Sequence, residues 1–212
     1  MPNPMKYAFD KASGLTRQTA LYAGNAFDRV FRAASLVQAG QTPFETLYTD
    51  GLVSLRYYPP LAEDFIELDG EMIDVERTPH KTPIVIVPPL AVNMLIYDLF
   101  PQRSLVRFLR AKGFEVYLID WGVPTRQHSH YNLHTYVAEL LPAYLNRVRE
   151  HSGEQELSLH GCTLGVLFTL FYSALILLQH FRNATFLGSP LASHPSCLIV
   201  FMYLLLLDFP RF

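Results

Sequence analysis

The stretch Leu157-Ser158-Leu159-His160-Gly161-Cys162-Thr163-Leu164-Gly165-Val166-Leu167 decides how this chain is read. A short apolar run over residues 157–160 enters a Gly-rich pentapeptide. An apolar pattern at helical spacing leaves it, through Val166, Leu167, Leu170, Phe171, Ala174 and Leu175. A strand that turns directly into a helix brings its own backbone segments close together. The positions two before and two after the apex therefore suit glycine. Glycine stands at 161 and 165, which puts Thr163 at the apex. An apex at Cys162 would force His160 and Leu164 into the crowded places. The pattern is that of a nucleophile elbow. Gly-x-Thr-x-Gly also occurs in strand–turn–helix units without chemistry, so the rest of the chain has to decide.

The 212 residues are half apolar, with 17 basic and 19 acidic side chains. A chain of this length buries a full core as one domain, or as one domain with an N-terminal appendage. Its near-neutral charge argues against a nucleic-acid partner. Cys162 and Cys197 show neither a disulfide framework nor a Cys-x-x-Cys spacing, which fits a reducing cytoplasm. Lys6, Asp10 and Lys11 interrupt any secretory apolar core. The longest apolar run, over residues 197–207, falls short of the roughly 20 residues of a membrane-spanning helix. The expectation is a cytoplasmic protein with no transmembrane segment.

Residues 1–43 read as a separate segment with a helix over residues 16–37, where Ala20, Ala23, Phe27, Val30, Phe31, Ala34 and Val37 stand near helical spacing. Residues 52–58 alternate as a strand, stopped by Pro59-Pro60. Residues 65–76 are weaker strands about a turn at Asp69-Gly70. Ile84-Val85-Ile86-Val87 is a strand buried on both faces. Residues 104–112 form a helix with Ser104 as N-cap, Leu105, Val106, Phe108 and Leu109 inward, and Gly113 at its end. Residues 115–120 form the next buried strand. Asn132 caps an amphipathic helix that buries Tyr136, Val137, Leu140, Leu141, Tyr144, Leu145 and Val148, with a kink at Pro142. Residues 185–188 read as a last strand. Alternating strands and helices predict a mostly parallel sheet with flanking helices.

Two segments carry a family likeness. One runs Thr82-Pro83-Ile84-Val85-Ile86-Val87-Pro88-Pro89, then Asn93, Tyr97-Asp98-Leu99 and Arg103-Ser104-Leu105-Val106-Arg107. The other is Gly113-Phe114-Glu115-Val116-Tyr117-Leu118-Ile119-Asp120-Trp121-Gly122. In order and spacing, over about residues 42–193, the chain resembles the polyhydroxyalkanoate synthases, most closely the shorter class III catalytic subunit. The resemblance implies an α/β-hydrolase fold over residues 44–195. It also implies an acyltransferase that polymerises hydroxyacyl-coenzyme A into polyester, with no bound cofactor or metal. Implied partners are the acyl-coenzyme A substrate, the polyester chain and a synthase partner subunit, with the polyester granule surface as a location. In that family the elbow reads Gly-x-Cys-x-Gly. Aligned glycine on glycine, Thr163 stands where the family has its nucleophilic cysteine, and Val166 where it usually has a further glycine.

Acyl transfer needs a nucleophile, a base, an orienting acid and oxyanion donors. The nucleophile position is Thr163, with the Cys162 thiol beside it. The donors expected are the backbone N–H of Leu164 and one from the turn after Val87, at Ala91 or Val92. A threonine hydroxyl is far less easily ionised than a thiol, and its β-methyl restricts χ1 in a crowded turn. Only His180 and His194 follow the elbow, neither in the place expected of a catalytic histidine, and Asp208 lies in a tail with no strand end. Residues 196–212 are almost wholly apolar, which predicts a truncated or frame-shifted product lacking the acid and the histidine. A hydrophobic interaction tail is the other reading. Two further functions stay open: a non-catalytic protein binding the granule or a synthase subunit, and an ester hydrolase using Thr163.

Other residues carry less. His128, His130 and His134 read as a surface loop rather than metal ligands. Asp120 either faces the crevice or pairs with Arg126 or caps a turn, and Trp121 reads as packing rather than substrate stacking. Arg103 and Arg107 read as a solvated helix face rather than contacts for a coenzyme phosphate. Cys162 itself reads as a small buried hydrophobe.

Overall fold

The computed structural model describes residues 39–90, 93–175 and 181–187. The helix expected over residues 16–37, the strand residue Gly188 and the apolar tail over 196–212 lie outside them. Residues Gly40–Phe212 form one compact unit and Met1–Ala39 another.

The larger unit is built on a six-stranded sheet. Its strands are β1 (Glu45–Asp50), β2 (Val53–Tyr58), β5 (Ile84–Val87), β8 (Val116–Asp120), β9 (Leu157–Cys162) and β10 (Phe181–Leu187). Their spatial order is β1-β2-β8-β5-β9-β10. The β1–β2 and β2–β8 pairs are antiparallel; β8, β5, β9 and β10 run parallel. Two small hairpins stand outside this sheet: β3 (Phe65–Leu68) with β4 (Glu71–Asp74), and β6 (Asp98–Phe100) with β7 (Arg103–Ser104). The turn expected at Asp69-Gly70 joins β3 to β4, with both residues at positive φ, 50° and 84°. That twist suits a two-residue hairpin.

Three α-helices are described: α1 (Leu105–Ala111), α2 (Leu141–Ser152) and α3 (Leu164–Leu175). Ser104 caps α1 by accepting the Arg107 N–H at 3.1 Å, and Gly113 follows it at φ 81°. One inward residue is corrected. Phe108 is 38% exposed and Arg110 is buried instead, because its guanidinium bonds the carbonyls of Pro59 and Phe114. The amphipathic helix also begins differently from its expected form. Residues Thr135–Leu140 form a π-helical turn that passes into α2, with Pro142 at the second position of that helix. Proline lacks an N–H, and the widened turn before it takes the place of a sharp kink. Its apolar face is as expected: Tyr136, Val137, Leu140, Leu141, Tyr144, Leu145 and Val148 are all buried.

The sheet has a core on each face. On one, Val85, Val87, Tyr117, Ile119, Leu157 and Leu159 pack with the inner face of α2 and with Phe168, Phe171 and Tyr172 of α3. On the other, Ile86, Val116 and Leu118 pack with Val106 of α1, Tyr58 and Tyr97. The central strands are buried on both faces, hence their continuous apolar runs. This strand order, with an antiparallel first pair and helices on both faces, is an α/β-hydrolase-type fold. The edge strand β1 is absent from the sequence reading because Glu45-Thr46-Leu47-Tyr48-Thr49-Asp50 has little apolar alternation. It is held by the ladder to β2 and by Tyr144, whose hydroxyl accepts the Asp50 N–H at 3.1 Å and donates to the Val53 carbonyl at 2.5 Å. Strand bounds shift as well. Residue 52 belongs to the β1–β2 turn, β9 runs two residues further than expected, to Cys162, and β10 begins at Phe181.

Candidate active site

The sheet order reverses around β5: the chain moves from β5 to β8 on one side, then to β9 on the other. A crevice opens at the carboxyl ends of strands at such a point. The elbow stands there.

Thr163 is the apex, at φ 46°. A β-branched residue in the left-handed region is strained, and such strain concentrates at functional turns. The flanking glycines do what the spacing requires. A Cβ at Gly161 would lie 2.9 Å from the Gly165 carbonyl oxygen and from the Val166 backbone, and one at Gly165 would overlap the Val87 carbonyl oxygen. The apex is tied on both sides: Thr163 N–H donates to the Leu187 carbonyl of β10 at 2.9 Å, and the Thr163 carbonyl accepts the Val166 N–H at 3.0 Å. Thr163 is exposed. Among the described residues no side chain hydrogen-bonds its hydroxyl.

The Leu164 N–H is the first of α3, so it has no intrahelical acceptor and is placed to meet negative charge. The second oxyanion donor expected, from Ala91 or Val92, lies outside the described residues, as do His180, His194 and Asp208. The loop that would carry it is anchored at its start. Trp121, 4% exposed, donates its indole N–H to the Pro88 carbonyl at 2.8 Å. Its ring meets Tyr136 and Phe168 edge-on, at 5.4 and 5.8 Å. Trp121 is thus a packing residue, and its indole also fixes where the loop after β5 departs. The sequence offered no signal for that bond.

A cleft of about 210 Å³ lies between this loop and the end of β8, lined by Pro88, Pro89, Leu90, Asn93, Met94 and Trp121–Pro124. Its lining is mostly apolar. It starts at Pro88, the segment on which Gly165 packs.

Asp120 sits at the end of β8, but its partner is Arg56 of β2, at 2.5 Å, not Arg126. Strand β2 pairs directly with β8, with Ser54 opposite Asp120, so Arg56 is the near cation. The other carboxylate oxygen accepts the Gly122 N–H at 2.9 Å, capping the turn. Arg103 pairs with Asp69 and Arg107 with Glu63 on the surface. In the histidine loop, His128 Nδ1 meets Thr125 and His134 meets Glu139. Among the described residues no three His, Cys, Asp or Glu converge on a common point, and no helix is long and apolar enough to cross a membrane.

Cys162 is half-buried, on the α1 face of the sheet, packed against the Ile86–Tyr97 core. It is the last residue of β9, immediately before the Thr163 apex. The sequence reading missed the edge-on contact of Tyr97 with His160, ring centres 6.4 Å apart. Each looked like an ordinary apolar-strand or turn residue in isolation.

No family model matches the sequence. Curated relatives do. The poly(3-hydroxyalkanoate) polymerase subunit PhaC of Haloferax mediterranei is 33% identical over 178 residues, 81% of this chain and 32% of that protein. The corresponding subunit of Haloarcula marismortui is 34% identical over 139 residues, 66% of this chain and 28% of that protein. The chain therefore spans about a third of the length of the curated relatives it matches. Among solved structures, a putative lipase from Sulfolobus solfataricus is similar with a TM-score of 0.48 at 15% identity, over 72% of this chain and 51% of that one.

Proposed function

This chain belongs by sequence to the poly(3-hydroxyalkanoate) polymerase family, and on that premise we propose that it binds a hydroxyacyl-coenzyme A thioester without turning it over. The thioester carbonyl would lie at the elbow, against the Leu164 N–H, with the acyl chain in the apolar cleft bounded by Pro88, Met94 and Trp121. The observation that carries this reading is Thr163 itself. It occupies the strained apex with its glycines in place, so the geometry of a nucleophile is kept. Its hydroxyl is a weak nucleophile unless a base activates it, and among the described residues no side chain bonds to it. By the same homology the chain keeps company with a polyester granule or a synthase subunit.

The test is intact-mass analysis and coenzyme A release after incubating the full chain with 3-hydroxybutyryl-coenzyme A, with calorimetry for binding. The expected result is binding, no covalent adduct and no free coenzyme A. An adduct or steady thioester cleavage lost in Thr163→Ala overturns the silent reading in favour of an acyltransferase or an ester hydrolase. Absence of binding overturns it altogether.

A further inference from the structure

Among the described residues, strand β10 forms one border of the six-stranded sheet, with β9 on its inner side. Every residue from Arg182 to Leu187 is exposed, on both faces of the strand. Phe186 is 41% and Leu187 57% exposed. The elbow shows which way the backbone groups of this strand point. The Leu187 carbonyl accepts the Thr163 N–H, so it faces β9. These groups alternate along a strand, so Thr185 shares that side while Ala184 and Phe186 turn their N–H and C=O groups outward. An outward row of donors and acceptors is a template for another strand. The opposite border is guarded against this. Strand β1 has Glu45 and Asp50 at its ends and a register shift between Thr46 and Tyr48. Pairing β1 antiparallel with its own copy would set Glu45 against Asp50, and like charges opposed across a ladder destabilise it.

We propose that β10 is the interface of a homodimer, pairing antiparallel with β10 of a second copy about a two-fold axis at Ala184. The strand is complementary to itself in that register. Ala184 meets Ala184 of the second copy, and because their backbone groups face outward the two exchange a pair of hydrogen bonds. Asn183 meets Thr185, polar against polar, and Arg182 meets Phe186, cation against ring. Each contact occurs twice, as a two-fold interface requires. A centre two residues earlier would oppose Arg182 to Arg182. One two residues later would leave Arg182 and Asn183 unpaired. Glu156, 3.8 Å from the Arg182 guanidinium on its own chain, is exposed and does not oppose the pairing. The register shift between Phe181 and Asn183 bounds the ladder at its start. Because the two strands run antiparallel, the two elbow crevices open toward opposite sides of the joined sheet. The second copy would thus back the strand whose Leu187 carbonyl holds the Thr163 N–H. This inference is independent of the thioester reading.

The test is sedimentation velocity of the full chain over a range of micromolar concentrations, with near-ultraviolet circular dichroism as the check on folding. A species of twice the chain mass is expected, with no larger assemblies, because a two-fold contact closes on itself. Ala184→Lys and Ala184→Glu each place like charges across the axis and should be monomeric. Mixing the two variants should restore a one-to-one dimer. Ala184→Pro should also be monomeric, since it deletes an outward N–H and leaves the β9 ladder intact. Phe186→Ala should weaken the dimer about tenfold, as two copies of one cross-strand pair are lost. Should Ala184→Pro disturb the fold, the charge pair decides. Hydrogen exchange at the Ala184 and Phe186 amides should be slow in the parent and fast in Ala184→Lys. A chain that is monomeric throughout overturns the proposal, as does growth beyond two copies. A dimer that persists in Ala184→Lys and Ala184→Glu overturns it too, and a failure of the mixture to re-form one overturns the axis at Ala184.

Discussion

Gly165 packs so closely on Val87 that the carbonyl oxygen of Val87 occupies the space a Cβ at 165 would need. The first turn of α3 and the end of β5 are thereby locked together, and the elbow and the loop after β5 share one rigid support. Gly165→Ala is expected to cost about 3 kcal/mol or more, since the obstacle is backbone and cannot swing away. Gly153, after α2, has φ 74° but open space around it. Gly153→Ala should cost only about 1 kcal/mol. Urea unfolding of both variants checks this; equal losses would refute the close approach.

Thr163→Gly should raise stability by about 1–2 kcal/mol, because glycine adopts φ 46° without the β-branched strain. Thr163→Val retains the branch and removes only the hydroxyl, so its melting temperature should stay near that of the parent. A melting temperature lowered in Thr163→Gly would mean the hydroxyl, not the backbone, is what the fold depends on.

Arg56 and Asp120 are 16% and 11% exposed at their side chains, and the Arg56 guanidinium also lies 4.2 Å from the Phe44 ring centre. Arg56→Ala leaves a largely buried carboxylate without its cation and should cost about 3 kcal/mol. A double-mutant cycle with Asp120→Ala should show that the two losses are not additive. Additive losses would mean that the two side chains act separately.

Tyr144→Phe removes one hydroxyl and strands two backbone groups, the Asp50 N–H and the Val53 carbonyl. The expected loss is about 1–3 kcal/mol. Hydrogen exchange should locate it in the β1–β2 hairpin and leave β5 and β9 protected.

His160 is held below its ordinary value of 6.5 by burial. In the unfolded chain it titrates near that value, so below it the unfolded state binds more protons than the folded one. Its contribution is therefore full above pH 6.5 and is lost as the pH falls through the lower folded value. His160→Gln should flatten the decline of stability as the pH falls below 6.5. An unchanged slope there would show that other groups govern it.

Much of the fold and the apex was legible in the chain because it rests on local physics. The glycines at 161 and 165 specify which residue can stand between them. The unbroken apolar runs at Ile84–Val87 and Val116–Asp120 mark strands buried on both faces, and Ser104 and Gly113 bracket α1 by cap chemistry alone. What remained hidden depends on residues far apart in sequence. Only the order of strands brings Arg56 to Asp120 in place of Arg126, puts Tyr144 under the β1–β2 turn, and aims the Trp121 indole at the Pro88 carbonyl. Phe108 and Arg110 exchange roles for the same reason, since the carbonyls that receive Arg110 belong to Pro59 and Phe114. Tyr97 meets the His160 ring edge-on although the two are far apart in sequence. Spacing along the chain determines backbone form and the apex residue; which side chains meet is decided by packing across the sheet, where sequence distance no longer measures proximity.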